Sequence, residues 1–272
     1  MEKRGAQVHN RAMATILHLT DAHLFAEPDG RIKGLVSRDS FLRVFAAARS
    51  RFPAAEMMVL GGDLAQDEAL ATYQWLAGFL ASHPLTYMVT PGNHCDLQHL
   101  RTGLEASLGM RRERVHRLAH WRVIGLNTHW PGHVEGRLSD GELAWLDRQL
   151  AGGGHVLIAM HHHPFAVGSQ WLDAIALSNA DRFWRLLRTH GNVRGIVVGH
   201  VHQQLDLEME GVRCMATPST CIQFRPNLST FALDARSPGY RWITLHRDGR
   251  IESGVERIDG FIPTDLDDTS AY

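Results

Sequence analysis

Pro91-Gly92-Asn93-His94 closes a short apolar run, residues 86–89, and its reading decides the fold. Pro-Gly demands a turn, and this turn delivers a neutral oxygen donor, Asn93, beside an imidazole, His94. Four further clusters share that setting: Asp21-Ala22-His23, Gly61-Gly62-Asp63, His161-His162-His163-Pro164 and Gly199-His200-Val201-His202. They follow apolar runs at 15–20, 57–60, 155–160 and 195–198, each of which reads as a buried strand. Residues i and i+2 of an extended segment face the same way, so Asp21 with His23, and His200 with His202, aim at one place. The glycines before Asp63 let backbone approach whatever that carboxylate binds.

Each cluster has a plain reading by itself, as a strand-to-loop turn with a stray polar residue. Their repetition does not. In α/β sheets the carboxyl ends of the strands gather at one edge, and sites form there. Packing alone would bury these His, Asp and Asn side chains without partners, at about 1–3 kcal/mol each. Metal ions remove that cost. The donors are hard oxygen and borderline nitrogen with no thiolate at a ligand-like position, which suits manganese, iron, zinc or cobalt rather than a structural zinc cage. They are too many for one ion. With two ions one carboxylate bridges, and Asp63 is the natural candidate; ions about 3.5–4 Å apart clamp the attacking and departing oxygens of an in-line displacement.

Helices are expected between the strands, at 39–51 with Phe41, Leu42, Val44, Phe45 and Ala48 as the buried stripe, and at 67–82, 97–108 and 178–190. Ser139-Asp140-Gly141-Glu142 fits a capping box that opens a helix to about residue 150. Residues 165–177, with Trp171, read as irregular. From Gln203 the texture changes to alternating segments at 205–209, 212–216, 230–233, 242–245 and 251–255, expected as antiparallel strands, with Arg247-Asp248-Gly249-Arg250 as a hairpin turn.

The 272 residues are 44% hydrophobic and carry a formal net charge of −1. At about 150 residues per domain they make one large domain or two small ones. The clusters span residues 21–202, so the expectation is one domain over 15–260, between an N-terminal tail, 1–14, and a flexible acidic tail, 261–272. Balanced charge and a pI of about 7.0 argue against a nucleic-acid groove or a basic membrane face. No apolar run approaches the ~18 residues of a membrane span. Residues 1–14 are polar, unlike a secretory signal, and the three cysteines are few and odd in number, so a reducing cytoplasm is expected. With 18 histidines present, a lone histidine carries no weight; His9, His18, His83, His116, His120, His155 and His246 read as surface or core residues.

The order D-x-H, G-D, G-N-H, H-H and G-H-x-H resembles the calcineurin-like metallophosphoesterase superfamily. Gly62-Asp63-Leu64-Ala65-Gln66-Asp67, the triple histidine with Pro164, Trp171-Leu172-Asp173 and Thr217-Pro218-Ser219-Thr220-Cys221 are similar to the bacterial class III 3′,5′-cyclic-AMP phosphodiesterases. The resemblance runs from about residue 17 to 257. It implies an α/β fold, a four-layer α/β/β/α sandwich. It also implies two divalent ions, iron and/or manganese before zinc or cobalt. Asp21, His23 and His202 would hold the first, Asn93, His161 and His200 the second, and Asp63 would bridge. Within the triple histidine His161 is chosen because it comes first after the strand, with His162 as the alternative. The implied reaction opens the cyclic phosphodiester of cAMP to 5′-AMP by in-line attack of a metal-bridging hydroxide, with a small cyclic nucleotide as partner and neither nucleic acid nor membrane. Asp63 and His94 would be catalytic, His94 protonating the leaving O3′, and Asp67 is a candidate to orient it. His23, Asp63, Asn93, His94 and His202 would contact substrate. Trp171, His163 and Phe224 either flank the base or serve as lid and core.

The family carries an acid directly after Gly-Asn-His; here that place is Cys95, and the acid follows at Asp96. A thiol so placed is expected to make activity sensitive to oxidation. The competing readings are the same chemistry on another ester (a glycerophosphodiester, a 2′,3′-cyclic nucleotide, a nucleoside-sugar pyrophosphate or a phosphomonoester), a nuclease, disfavoured by the neutral charge, and a catalytically silent binding module on the same scaffold.

Overall fold

The computed structural model describes residues 13–109 and 114–270. In chain order these form β1 (Met13–Leu19), a small hairpin of β2 (Arg31–Ile32) and β3 (Leu35–Val36), α1 (Ser37–Arg51), β4 (Met57–Leu60), α2 (Leu70–Ala81) and β5 (Thr86–Val89). A short α3 (Leu97–His99) runs on as a π-helical turn, Leu100–Glu105. Then come β6 (Val115–Leu118), β7 (Trp121–Gly125), α4 (Asp140–Leu150), β8 (His155–Met160), α5 (Gln170–Asp173), α6 (Ala180–Leu187) and β9 (Val193–Val198). The chain ends with β10 (Leu205–Met209), β11 (Val212–Ala216), β12 (Gln223–Phe224), β13 (Leu233–Asp234), β14 (Gly239–His246) and β15 (Ile251–Arg257).

Two sheets carry the architecture, one ordered β15-β14-β1-β4-β5 and the other β10-β11-β9-β8-β7-β6. Their central strands are parallel, β1 to β4 to β5 in the first and β7 to β8 to β9 in the second. Strand alternation explains why these runs are apolar at nearly every position. In the first sheet Leu17, Leu19, Met58 and Leu60 face α1 and α2, while Ile16, Met57 and Val59 face the other sheet. In the second, Val156, Ile158 and Met160 face α4 and α6, while Leu157 and Ala159 face inward. Helix, sheet, sheet, helix is therefore the order of layers, as the family resemblance implied.

Several boundaries differ from expectation, each for a local reason. β1 starts at Met13, because Met13 pairs with His246 across the sheet; residues 1–12 of the expected N-terminal tail lie outside the described residues. The helix expected from residue 67 begins at Leu70, since the Asp67 carboxylate accepts from Ala69 N at 3.1 Å and from Thr72 Oγ1 at 2.8 Å and so shapes the entry turn. Ser139 caps α4 as its motif required, its hydroxyl accepting from Glu142 N at 3.0 Å. The segments after Gln203 do not form one antiparallel set: β11 joins β9 in parallel, and β14 joins β1. The segment at 230–233 contributes only the two-residue β13, paired with β12. The acidic tail, expected to be loose, is tied down, with Asp268 and Ser270 both bonded to Lys33.

Several side chains tie the sheets together, and Arg241 is the most deeply set of the arginines among them. Arg241 on β14 is 1% exposed. It donates to Leu205 O at 2.9 Å and Ala216 O at 2.8 Å on the opposite sheet, and to Ser253 Oγ at 3.0 Å on its own. Burial lowers its pKa to about 10. Replacing it with methionine keeps the volume but removes the donors to two carbonyls, one of them buried. Arg241→Met is therefore expected to lower stability by about 2–4 kcal/mol in urea unfolding; a loss below about 1 kcal/mol would show that the bridge is ornamental.

Candidate metal centre

The five clusters meet at the carboxyl edges of both sheets. Backbone pairing continues past the strand ends: Asp21 N donates to Gly62 O at 3.0 Å and His23 N to Asp63 O at 2.9 Å, so the two loops stay in step. There the chain turns left-handed. Asp21, His23, Asp63, His200 and His202 have φ of +55°, +46°, +47°, +67° and +48°. Non-glycine residues seldom adopt this region, and each such residue costs of order 1–3 kcal/mol. Asp21 and His23 do converge, whereas His202 joins their group and His200 joins His161 and His162, so the second pair does not aim at one place; all four are placed by left-handed turns and not by the extended geometry their spacing suggested.

Three groups of donors are close enough to share an ion, with ligand atoms within 4.8 Å: Asp21, His23 and His202; Asp21, Asp63 and His161; and His161, His162 and His200. All seven of these residues are buried. Asn93 Oδ1 joins them 3.3 Å from His161 Nε2. The outer hydrogen bonds fix what the inner atoms present. His23 Nδ1 meets Gln66 Oε1 at 2.7 Å, and His202 Nδ1 meets Ile222 O at 2.8 Å. Both acceptors require a proton on Nδ1, which leaves lone pairs on the two Nε2 atoms, only 3.2 Å apart. His161 repeats the pattern: Nδ1 donates to Gly61 O at 2.7 Å, and Nε2 faces Asp63 Oδ2 at 3.1 Å. His200 Nε2 meets Ile175 O at 3.1 Å, leaving Nδ1 as its donor atom.

Lone pairs that face each other and a carboxylate need a cation between them, so the residues fit divalent metal. Without metal a proton takes that place. Burial alone would lower the pKa of His161, but Asp63 and Asp21 outweigh it and raise it to about 9. The same contact holds Asp63 well below the usual carboxylate range, although burial opposes this. His23 is pushed down to about 3, by burial first and His202 second. His162 is placed differently from His161. Its Nδ1 meets Thr128 Oγ1 at 2.7 Å and its Nε2 meets Val134 O at 3.0 Å, so both nitrogens are engaged away from the acids.

Close backbone approach has an identifiable cause at two glycines. A Cβ on Gly62, φ +99°, would land on the His161 ring, and one on Gly92 would land on the Asp63 carboxylate. His94 N donates to Asp63 Oδ1 at 2.9 Å, so the Pro-Gly turn also aims the central acid. Asp67 does not orient His94; its oxygens serve Ala26 N, Ala69 N and Thr72. Two supports were given no role by the sequence, one of them inside the quoted segment at 217–221: Thr20 Oγ1 donates to Asp21 Oδ2 at 2.7 Å, and Ser219 Oγ to Asp21 O at 2.7 Å.

A cavity of about 480 Å³ opens on the centre. Asp63, Asn93, His94 and His200 line its floor, and Trp171, Ile175, Phe224 and Phe231 line its walls. His23 and His202, expected to touch substrate, are buried and are not among its lining residues. His163 is also buried, its Nε2 3.7 Å from Asp173 Oδ1, which removes it from the base-stacking candidates. Phe224 has one face against the His202 ring, 4.0 Å between centroids and 7° from parallel. A second cleft of about 500 Å³, past Pro84, Tyr87 and His116, has none of these donors.

The layered fold and the clustered acids and imidazoles define a metal-dependent phosphoesterase. The chain belongs to the calcineurin-like phosphoesterase family, whose model matches residues 14–204. It is 38% identical over 91% of its length to a protein of Vibrio vulnificus named 3′,5′-cyclic adenosine monophosphate phosphodiesterase CpdA, covering 92% of that protein. It is 36% identical to the protein of that name in Pseudomonas aeruginosa, over 96% of both chains. The crystal structure of a dimetal phosphatase from Danio rerio shares the fold, with a TM-score of 0.61 at 17% identity over 90% of this chain and 98% of that one.

Cys95 is 3% exposed, and its Sγ takes a hydrogen bond from Gly92 N at 3.4 Å. Burial, then Asp63, raises its pKa to about 11, and burial raises Cys214 and Cys221 to about 12. The expected oxidation-sensitive thiolate is therefore absent at neutral pH. At pH 8 the folded chain should leave Ellman's reagent unconsumed and react at all three cysteines once unfolded. Fast labelling of Cys95 in the folded chain would contradict this burial.

Proposed function

We propose that the chain hydrolyses the 3′,5′-cyclic phosphodiester of cyclic AMP to 5′-AMP and so lowers the level of a second messenger. The observation that carries the reading is the junction of a cation-seeking donor cluster with an aromatic-walled cavity. Its floor is Asp63, Asn93 and His94. The activity named for the two curated relatives supports it. In this reading Asp21, His23 and His202 hold one divalent ion, Asn93, His161 and His200 the other, and Asp63 lies between them. Nitrogen and oxygen donors without thiolate favour iron and manganese. Convergence of clusters from both sheets supports a single domain. Three buried unpaired cysteines support a cytoplasmic setting. No helix among the described residues is long and apolar enough to cross a membrane.

When bound, the ions supply Lewis acidity toward the phosphoryl oxygens and an activated water. The chain supplies the rest. His94 borders both the donor cluster, its ring 5.3 Å from that of His23, and the cavity, where it can give a proton to the departing O3′. Asn93 and Asp63 border the phosphoryl position. Trp171 and Phe231, edge to face at 5.3 Å, offer apolar surface to the base.

The test compares 3′,5′-cyclic AMP, 2′,3′-cyclic AMP and bis(4-nitrophenyl) phosphate with manganese or iron supplied. The expected result is the highest kcat/KM for 3′,5′-cyclic AMP; preference for another ester by tenfold or more would overturn the assignment. His94→Ala should cut kcat by about 10²-fold or more with metal content intact. Near-normal turnover would remove His94 from the chemistry.

A further inference from the structure

Lys33 lies in the small hairpin, in the left-handed conformation at φ +47°, with its side chain only 4% exposed. A buried ammonium needs partners for all three of its donors. Three acceptors surround it: Asp268 Oδ2 at 2.9 Å, Ser270 O at 2.6 Å and Ser270 Oγ at 2.9 Å. Every one comes from the C-terminal segment, more than two hundred residues away. The segment is seated by backbone as well. Asp265 N donates to Lys33 O at 3.3 Å, and a Cβ on Gly34 would collide with Thr264. Between the two residues that grip Lys33 stands Thr269, which lines the cavity over the metal centre. Lys33 Nζ also sits 5.8 Å over the ring of Phe231, which lines the same cavity.

We infer that residues 264–270, latched on Lys33, form a wall of the substrate cavity and set the affinity for the part of the nucleotide that projects away from the phosphate. Thr269 is the contact residue; Lys33 and Asp268 are positioning residues that act through it and through Phe231. Thr269 offers a hydroxyl and a methyl to a ligand already flanked by Trp171 and Phe231, which suits the mixed polar and apolar edge of a nucleoside. The Asp268 carboxyl, bonded by Ser270 and Lys33, is held down at about 2. The inference rests on the cavity being where the substrate's organic group lies, and so on the function proposed above.

The test measures kcat and KM for cyclic AMP and for bis(4-nitrophenyl) phosphate in wild type, Lys33→Met, Lys33→Arg, Asp268→Asn and the double variant Lys33→Met/Asp268→Asn. The expected result is a rise of about five-fold in KM for Lys33→Met and for Asp268→Asn, with kcat within about two-fold. Lys33→Arg should restore most of the affinity, and the double variant should be no worse than either single one. Truncation after Pro263 should raise KM at least as far. An unchanged KM for every diester that wild type cleaves would overturn the wall, as would a lower KM or higher kcat on truncation, which would make the segment an inhibitor. If wild type cleaves only the nitrophenyl diester, the cyclic AMP reading falls, and the wall is judged on that ester's KM alone.

Discussion

Two imidazole nitrogens, Nε2 of His23 and Nε2 of His202, 3.2 Å apart and beside a buried carboxylate, are the constraint on which the rest of this structure depends. Such an arrangement repels itself unless positive charge sits within it. The chain nevertheless holds it rigidly, because each inward nitrogen is fixed by a hydrogen bond on the far side of its ring. Those outer bonds set tautomer and ring angle before any ion arrives. Five left-handed residues add their own cost at the same place. Strain and repulsion are therefore concentrated at the donor cluster, and a bound cation would relieve the repulsion.

The scaffold can impose this because it is stiff nearby. β1, β4, β8 and β9 are buried on both faces, and their ends carry backbone pairing into the loops. Three apolar layers, helix to sheet, sheet to sheet and sheet to helix, oppose the local strain. The glycines at 62 and 92 remove the methylene that would separate one cluster from the next.

Much of this was legible in residue order. The buried strands could be read because both their faces are apolar, and the donors because each stands directly after such a run. Other features left no local mark. A non-glycine residue such as Asp21 does not announce a positive φ. Of the four acceptors that fix the histidines, three are backbone carbonyls, of Gly61, Ile175 and Ile222, and only Gln66 has a side chain to read. Cys95 looked reactive because it stands two residues after a proposed metal ligand; its burial depends on packing that sequence does not display. The pairing of Lys33 with Asp268 joins two polar surface-like segments, and nothing in either suggests the other.

The donors come from both sheets, Asp21, His23, Asp63 and Asn93 from one and His161, His200 and His202 from the other. An ion held among them is thus a rivet between two halves of the molecule. Its binding free energy adds to resistance against unfolding, in proportion to the logarithm of free ion over dissociation constant. A copy without such ions would not merely be idle. It would be a shorter-lived molecule, opened more often and digested sooner than a loaded counterpart, so scarcity of metal would thin the population as well as silence it.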